Sequence, residues 1–554
     1  MSITGVRWAG PRALLVELTD LVSVLAFHRR VQAEPFPGQL DAVAAAATVL
    51  LKFASHRQAL AARAAVEHFQ LDAVEQDGGR EVTIEVVYDG EDLAEVGRLT
   101  GLGADGVIAA HTGQVWTAAF GGFAPGFAYL VGESDTLSVP RRTSPRTAVP
   151  AGSVALGGKF SAVYPRQSPG GWQLIGRTSA VMWDLDSEQP ALIRPGDKVR
   201  YVAVDRTAAD SAAVRAASRA HAVPAENAAG ERDERVSGLE VESPGLQSLL
   251  QDLGRPGLGD LGVSAAGAAD QQSARQANRL VGNEPGAAVV ENLLGGLSVR
   301  ARGDQVLATA GACVPLEIRS GTGEVLRRPA GCAPFALLDG ESLTLGAPSL
   351  GLRSYLAARG GFDVPPVLGS RSSDTMSGLG PAPLVAGTLL PVAPVDGVRP
   401  VGEPETSTLR LGPGTAELRV TPGPRDDWFT AAAVQALAGQ GWQVTDQSNR
   451  IGVRLVPEAE DGRSLERSRG GELASEGAVE GALQVPPSGH PVLFLADHPV
   501  TGGYPVIAVV VPEDLPTAAQ LPPGCRVRFT MVDPATLEPL EPAASGIISE
   551  GIPS

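Results

Sequence analysis

The sequence predicts a mainly β protein: an α+β sandwich of ferredoxin-like type at the N-terminus, followed by β-barrels, at least two of them built on one plan. Three observations carry this. Strand and helix patterns alternate from Ala13 to Tyr88. From Val115 to Val204 helical periodicity disappears, and short β-favouring runs are cut by glycine and proline. One such stretch, Ala148–Thr178 (AVPAGSVALGGKFSAVYPRQSPGGWQLIGRT), has an echo at Ala482–Val510 (ALQVPPSGHPVLFLADHPVTGGYPVIAVV). Both pass from Val-Pro through a polar turn to a Gly-Gly-aromatic step and an apolar strand. Each then reaches a Pro-Gly and a basic strand, Arg194–Val202 and Pro522–Phe529. Two similar β-units near opposite ends point to duplicated barrels.

In chain order, Ala13–Leu18 reads as a strand and Leu21–Val31 has helical apolar spacing. Thr48–Phe53 is a strand, Arg57–Phe69 a helix and Glu81–Tyr88 a strand. The ferredoxin-like domain is set at residues 1–80 and the first barrel at 81–204, with short helices at Asp92–Thr100 and Asp105–His111. Residues 205–238 form a linker, because Thr207–Val236 is alanine and charge with few large apolar side chains. The linker reads as the seam of a fusion between two polypeptides. Beyond it come a strand at Leu239–Val241, a glycine-rich loop at Gly254–Gly267 and a helix at Asp270–Leu280, capped by Asp270 and stopped by Gly282. Short, regularly spaced strands from 297 to 395 place a second barrel at 239–400. A helix at Asp427–Ala438 and the repeated β-unit place a third at 401–534, with a tail at 535–554.

Net charge is −17 over 554 residues, which suits a globular protein and argues against a nucleic-acid groove. The lysines are Lys52, Lys159 and Lys198; arginine supplies the other strong bases. Cys313, Cys332 and Cys525 have no metal-ligand spacing, and an odd set of three fits a reducing cytoplasm. The N-terminus lacks a signal pattern, and no apolar run reaches membrane-spanning length, so neither membrane nor nucleic acid is an expected partner.

No metal cluster, P-loop, G-x-S-x-G elbow or dinucleotide fingerprint is present. Chemistry therefore falls to loops. Phe120–Leu130 (FGGFAPGFAYL) and Pro140–Arg146 join a glycine turn, aromatics and three arginines. Arg141, Arg142 and Arg146 are planar donors suited to carboxylate or phosphate, or else solvated charges beside a tight barrel corner. Lys159, Ser168, Gly170, Gly171, Trp172 and Arg177 could cradle an oxyanion through backbone N–H groups, or form a hairpin pair with an exposed lysine. Asp252 and Arg255 share a loop and could pair locally. Asp497, Thr501, Gly502, Gly503 and Tyr504 could position a water or a substrate amide, with His498 as an accessory. His28, His56 and His68 read as surface residues, and His111 as a cation at a helix C-terminus.

Several of these motifs carry a resemblance. GFAPGFAYL, PRRTSPRTAVPAGSVALGG and YPRQSPGGWQLIGRT resemble the B component of bacterial ATP-dependent 5-oxoprolinase, also described as the Kip-type kinase-inhibitor or allophanate hydrolase subunit 1 family. GLQSLLQDLGRPG, GVSAAGAAD, ANRLVGN, YLAARGGFDVPPVLGSRSSD, SNRIGVRL, GALQVPPSGHPV and TGGYPVIAVV resemble its C component, the allophanate hydrolase subunit 2 or biotin-dependent carboxyltransferase-like family. The chain looks like the 5-oxoprolinase B and C components fused. The same modules form the carboxyltransferase part of urea carboxylase. The family pattern D-x-Q-T-T-G-G-Y-P stands here as DHPVTGGYP, with Pro499 and Val500 replacing Gln and Thr.

The resemblance implies a ferredoxin-like piece followed by cyclophilin-like barrels. It implies ATP-driven opening of the 5-oxoproline lactam to glutamate with a separate 5-oxoprolinase A component, ATP (with Mg) as the cofactor, and no resident metal. A homo-oligomer is left open. Under a carboxyltransferase reading biotin would be the cofactor, and under a Kip-type reading the chain would restrain a sensor kinase. On these grounds Asp497, Thr501, Asp252 and Arg255 are the catalytic candidates. Arg142, Arg146, Lys159, Ser168, Gly170, Gly171, Trp172, Arg177, Gly502, Gly503 and Tyr504 are the substrate or nucleotide binders. One cleft is expected to collect residues from both halves, and Arg146→Ala or Asp497→Ala to abolish activity without unfolding the chain.

Overall fold

The computed structural model describes residues 2–71, 79–205, 236–395, 399–412 and 414–540. Nearly all of the expected linker and most of the tail lie outside them. The fold class is the expected one: mainly β, with a ferredoxin-like α+β part and closed barrels.

Four antiparallel strands open the chain, in the order Ile3–Trp8, Ala13–Leu18, Thr48–Phe53, Gln39–Ala44. This is the ferredoxin-like order, but its outer strand next to Ala13–Leu18 precedes that strand instead of closing the unit from the C-terminal side. The sequence reading missed Ile3–Trp8 and Gln39–Ala44. The strand expected at Glu81–Tyr88 runs Glu81–Val86 and lies in the first barrel, on the barrel side of the boundary set at residue 81. Its alternating inward Val82, Ile84 and Val86 suit a barrel wall. Helices Leu21–Ala33 and His56–Val66 cover one face of the first sheet, burying Val24, Phe27 and Ala59 against Leu14, Val16 and Leu51. The other face presents Ala13, Leu15, Val43 and Leu50, which pack with Val500 from near the opposite end of the chain.

The two outer barrels share one strand topology. In the first, the strands in chain order are Glu81–Val86, Trp116–Gly121, Ala128–Gly132, Ser153–Gly157, Phe160–Val163, Gln173–Arg177 and Lys198–Ala203. In the second they are Thr415–Pro422, Trp442–Val444, Gly452–Pro457, Ala482–Gln484, Val492–Phe494, Val506–Val510 and Arg526–Met531. Numbered within each barrel, both rings run 1-6-4-5-3-2-7. In both, the first and seventh strands pair in parallel. The first ring closes through Val87 and Arg177, each donating its N–H to the other's carbonyl at 2.9 Å. Each barrel carries a short side ribbon: Arg146–Val149 with Ser168–Gly170, and Glu476–Gly477 with Thr501–Gly502. Each also locks a core indole onto the carbonyl five residues earlier: Trp116 to His111 at 3.0 Å and Trp442 to Leu437 at 2.9 Å. The repeat read from the sequence is thus a repeat of structure.

Between them, the middle unit forms a six-stranded and a five-stranded sheet around one core, not the single ring of its neighbours. Helix Gln271–Leu280 covers it. Asp270 caps this helix, accepting from Ser273 N–H at 2.9 Å, and Gly282 follows it with φ +75°.

The N-terminal half is sealed to the rest along a seam. The loop after Trp116–Gly121 lies backbone-to-backbone on Asp260–Gly262. A Cβ on Gly121 would collide with the carbonyl of Asp260, and one on Gly262 with the carbonyl of Ala124. Gly126 N–H reaches Leu261 O at 3.1 Å. Tyr129 and Ser475 hydroxyls meet at 3.1 Å, and Arg425 joins Glu17 (2.5 Å) to Glu476 (2.9 Å). Of the glycines in FGGFAPG, Gly121 serves this close approach, while Gly122 and Gly126 make room for Phe127 and Met182 of their own half.

Candidate active site at the seam

In the first barrel the arginines are organised by Asp92, which the sequence reading did not single out. Its carboxylate accepts from Arg142 at 2.6 Å, from Arg146 at 2.9 Å and from the N–H of Leu174 at 2.7 Å. Burial pushes the Asp92 carboxyl up, but the Arg146 bond, the Leu174 N–H and the charges of both arginines outweigh it and hold it below the usual range. Arg146 also meets Glu91 at 3.0 Å, and Arg177 meets Asp89 at 3.1 Å. These cations brace the loop around the Gly-Gly-Trp step. Arg141 does not join that cluster. Its guanidinium lies 5.9 Å from the centre of the buried Trp172 ring and 3.7 Å from Glu472 of the second half. Lys159 stands exposed at a hairpin tip, 5.6 Å over the Phe160 ring. Gly171 O accepts from Arg142 N–H at 2.7 Å, the Gly170 backbone leaves room for the Tyr164 hydroxyl, and the Ser168 hydroxyl is buried without a partner.

In the second barrel, Asp497 is wholly buried. Arg450 grips it in a fork at 2.8 and 3.0 Å, and Thr375 donates its N–H at 2.9 Å and its hydroxyl at 2.6 Å. Arg450 continues to Glu291 at 2.5 Å and to Gly267 O at 2.6 Å. Glu291 accepts in turn from Tyr355 at 2.9 Å and from Ala269 N–H at 3.0 Å. Asp497, expected to orient a water or amide, has its oxygens committed to Arg450 and Thr375 and exposes no surface, an arrangement that anchors the loop leading to Tyr504. Asp252 is likewise occupied by its own surroundings. It clamps the 370–372 loop, accepting from Ser370 (2.6 Å), Ser372 (2.5 Å) and Arg371 N–H (2.6 Å). Arg255 does not pair with it; it donates to Val367 O at 3.3 Å and to Ser372 O.

His68 is exposed as expected, but two other histidines depart from expectation. His28 is buried, 3.0 Å from Asp260. His111 is no helix-end cation: burial drives it down to about 3, and its ring nitrogens meet Tyr88 (2.7 Å) and Ser161 (3.0 Å). His498, also taken down to about 3 by burial, stacks on Phe494 and donates Nδ1–H to Pro499 O at 2.8 Å. Glu480, half-buried near Arg450 and Lys52, is pushed up to about 7 by burial over those opposing charges, so it titrates in the neutral range.

The residues left facing the seam are Arg141 and the Gly-Gly-Trp step from one half, and Thr501, Gly502, Gly503 and Tyr504 from the other. Arg141 Nη1 lies 3.9 Å from where a Cβ on Gly503 would stand. Tyr504 is 45% exposed, with the Arg467 guanidinium 5.6 Å over its ring. Arg142, Arg146 and Arg177 each face a carboxylate of their own barrel, whereas the carboxylate beside Arg141 is Glu472 of the second half. Among the described residues no three His, Cys, Asp or Glu side chains gather to hold a metal ion, and no helix is long and apolar enough to cross a membrane.

Comparison with known proteins defines the class. The model of the carboxyltransferase domain, subdomain C and D, matches residues 4–193, and that of subdomain A and B matches residues 261–531. Over 301 residues the chain is 36% identical to the 5-oxoprolinase C component of Escherichia coli K12, covering 52% of this chain and 90% of that one. Over 127 residues it is 42% identical to the 5-oxoprolinase B component of Haemophilus influenzae, covering 22% of this chain and 60% of that one. The crystal structure of TTHA0988 superposes with a TM-score of 0.77 at 34% identity, covering 94% of this chain and 99% of that one. The chain belongs to the carboxyltransferase-domain family, as a fusion of the types found separately in the B and C components of 5-oxoprolinase.

Proposed function

We propose that this chain is the fused B–C component of an ATP-dependent 5-oxoprolinase, which opens the 5-oxoproline lactam to glutamate together with a separate A component in the cytoplasm. The observation that carries the reading is the presence of both component types in one chain, joined by a tight seam where their Gly-Gly-aromatic loops approach. A lactam carbon is a poor electrophile, and ATP would supply its activation by phosphorylation of the lactam oxygen. The chain's own part is to bind and orient. Arg141 presents a planar fork to a carboxylate, and the Gly-Gly backbones allow close approach of a flat ring.

The test is reconstitution. The chain and the A component together should release glutamate from 5-oxoproline only with ATP, and neither should do so alone. Turnover by this chain alone would remove the need for a partner; no turnover by the pair would remove the substrate. The family's description as a carboxyltransferase domain favours a second reading, transfer from a carboxybiotin partner to an amide. Carboxylation of urea by this chain with carboxybiotin, without glutamate release by the pair, would select it.

A further inference from the structure

The shared strand order extends to side chains. In each barrel an aspartate just after the first strand holds an arginine of the loop between the third strand and the ribbon: Asp92 with Arg142 at 2.6 Å, Asp427 with Arg469 at 2.9 Å. In each, a neighbouring arginine of that loop sits over the aromatic of the Gly-Gly-aromatic step: Arg141 over Trp172 at 5.9 Å, Arg467 over Tyr504 at 5.6 Å. In each, the hydroxyl of the residue opening the second ribbon strand, Ser168 or Thr501, is buried and has no hydrogen-bond partner. Buried hydroxyls normally find partners, and one orphan at the same topological point in both barrels calls for a common cause.

We propose that the protein has two quasi-equivalent sites for small planar carboxylates, one at each arginine–aromatic pair, and that the sites abut across the seam. A guanidinium stacked on a ring is held flat. Arg467 donates Nη2–H to Val485 O at 2.6 Å and Arg141 Nε lies 3.7 Å from Glu472, so the remaining Nη1 of Arg467 and the Nη edge of Arg141 are the donors left for a carboxylate. The Gly-Gly step removes side chains from the approach, and the orphan hydroxyl supplies a further donor. The sites adjoin because Arg141 of the first reaches Gly503 of the second. They differ in access: Trp172 is buried, whereas Tyr504 stands exposed. Two ligands can therefore lie side by side, one in a closed and one in an open site, as a transfer between two bound molecules requires.

The probe, 5-oxoproline, comes from the proposed function, and the ligand's identity rests on that reading. Equilibrium dialysis of the full chain with labelled 5-oxoproline should give two equivalents bound. Arg141→Ala and Arg467→Ala should each leave one, and the double variant none. Both arginines are partly exposed, so the variants should keep the wild-type circular dichroism; if one does not, Ser168→Ala or Tyr504→Ala replaces it for the same site. No binding, a single equivalent in the wild type, or a loss of both equivalents on either single substitution would overturn the proposal. Two equivalents bound without glutamate release by the reconstituted pair would leave the sites standing and remove the proposed reaction. Turnover with a single equivalent would do the reverse.

Discussion

Asp497→Ala should destabilise the second barrel strongly, although the sequence alone suggested that the residue could be lost without unfolding. The wild-type carboxylate is fully buried and accepts four hydrogen bonds, two from Arg450 and two from Thr375. Alanine removes one of the two carboxylates that compensate the buried Arg450 guanidinium, leaving Glu291 as the other, and strips Thr375 of its acceptor. Breaking a buried pair from one side costs about 3–5 kcal/mol when the remaining charge is left alone. With Glu291 still on Arg450 the expected cost lies at the low end, about 3 kcal/mol. The cost should be less severe when both are replaced: Arg450→Met with Asp497→Ala should fall short of the sum of the two singles by about 2 kcal/mol, the coupling expected of contacting residues. Urea unfolding followed by tryptophan fluorescence would read this, since Trp442 lies in the core of that barrel. The expected result is a lower midpoint at unchanged slope. An Asp497→Ala midpoint equal to the wild type, or strict additivity in the double variant, would refute the reasoning.

Glu480 should impose a pH dependence. Its folded value of about 7 lies above its ordinary value of 4.5, so the folded state keeps a proton that the unfolded chain releases. Stability should therefore fall as pH rises from about 4.5 to 7, by up to about 3 kcal/mol, and Glu480→Gln should flatten that fall in denaturation curves taken across the window. Cleavage within residues 207–235 should leave two fragments that co-elute on gel filtration, because the seam holds them; separation of the fragments would show that the seam is weak. Gly262→Val should part those cleaved fragments while leaving each one's circular dichroism intact, since a side chain there collides with the Ala124 carbonyl and the glycine sits at φ +71°. Co-elution of the valine variant would deny the backbone contact its role.

The duplication was legible because it rests on local grammar. Gly-Gly-Trp and Gly-Gly-Tyr, the Val-Pro starts and the Pro-Gly before each last strand are short patterns that survive in one dimension. Strand Gln39–Ala44 was not legible, since QLDAVA is small and weakly β-branched and is buried by its neighbours, not by its own pattern. The site was only half visible. The arginines and glycines were named, but not what holds them. Asp92 lies 50 and 54 residues from Arg142 and Arg146, and Arg450 lies 47 residues from Asp497 and 159 from Glu291. No spacing rule connects such positions; only closure of the barrels and docking of the middle unit brings them together. His28 and His111 were misread for the same reason, because their burial is set by elements far away in the chain.

The parallel pairing of first and last strands has a consequence in time. During synthesis, Glu81–Val86 emerges without the neighbour that will flank it, because Lys198–Ala203 follows about 120 residues later. At about 5–20 residues per second the wait lasts roughly 6–24 s. The first ring can then be complete before the second half leaves the ribosome, and Thr415–Pro422 repeats the wait for Arg526–Met531. The chain is thus assembled as a succession of late closures. Its most vulnerable moment is the interval in which an apolar strand edge stands open to other nascent chains.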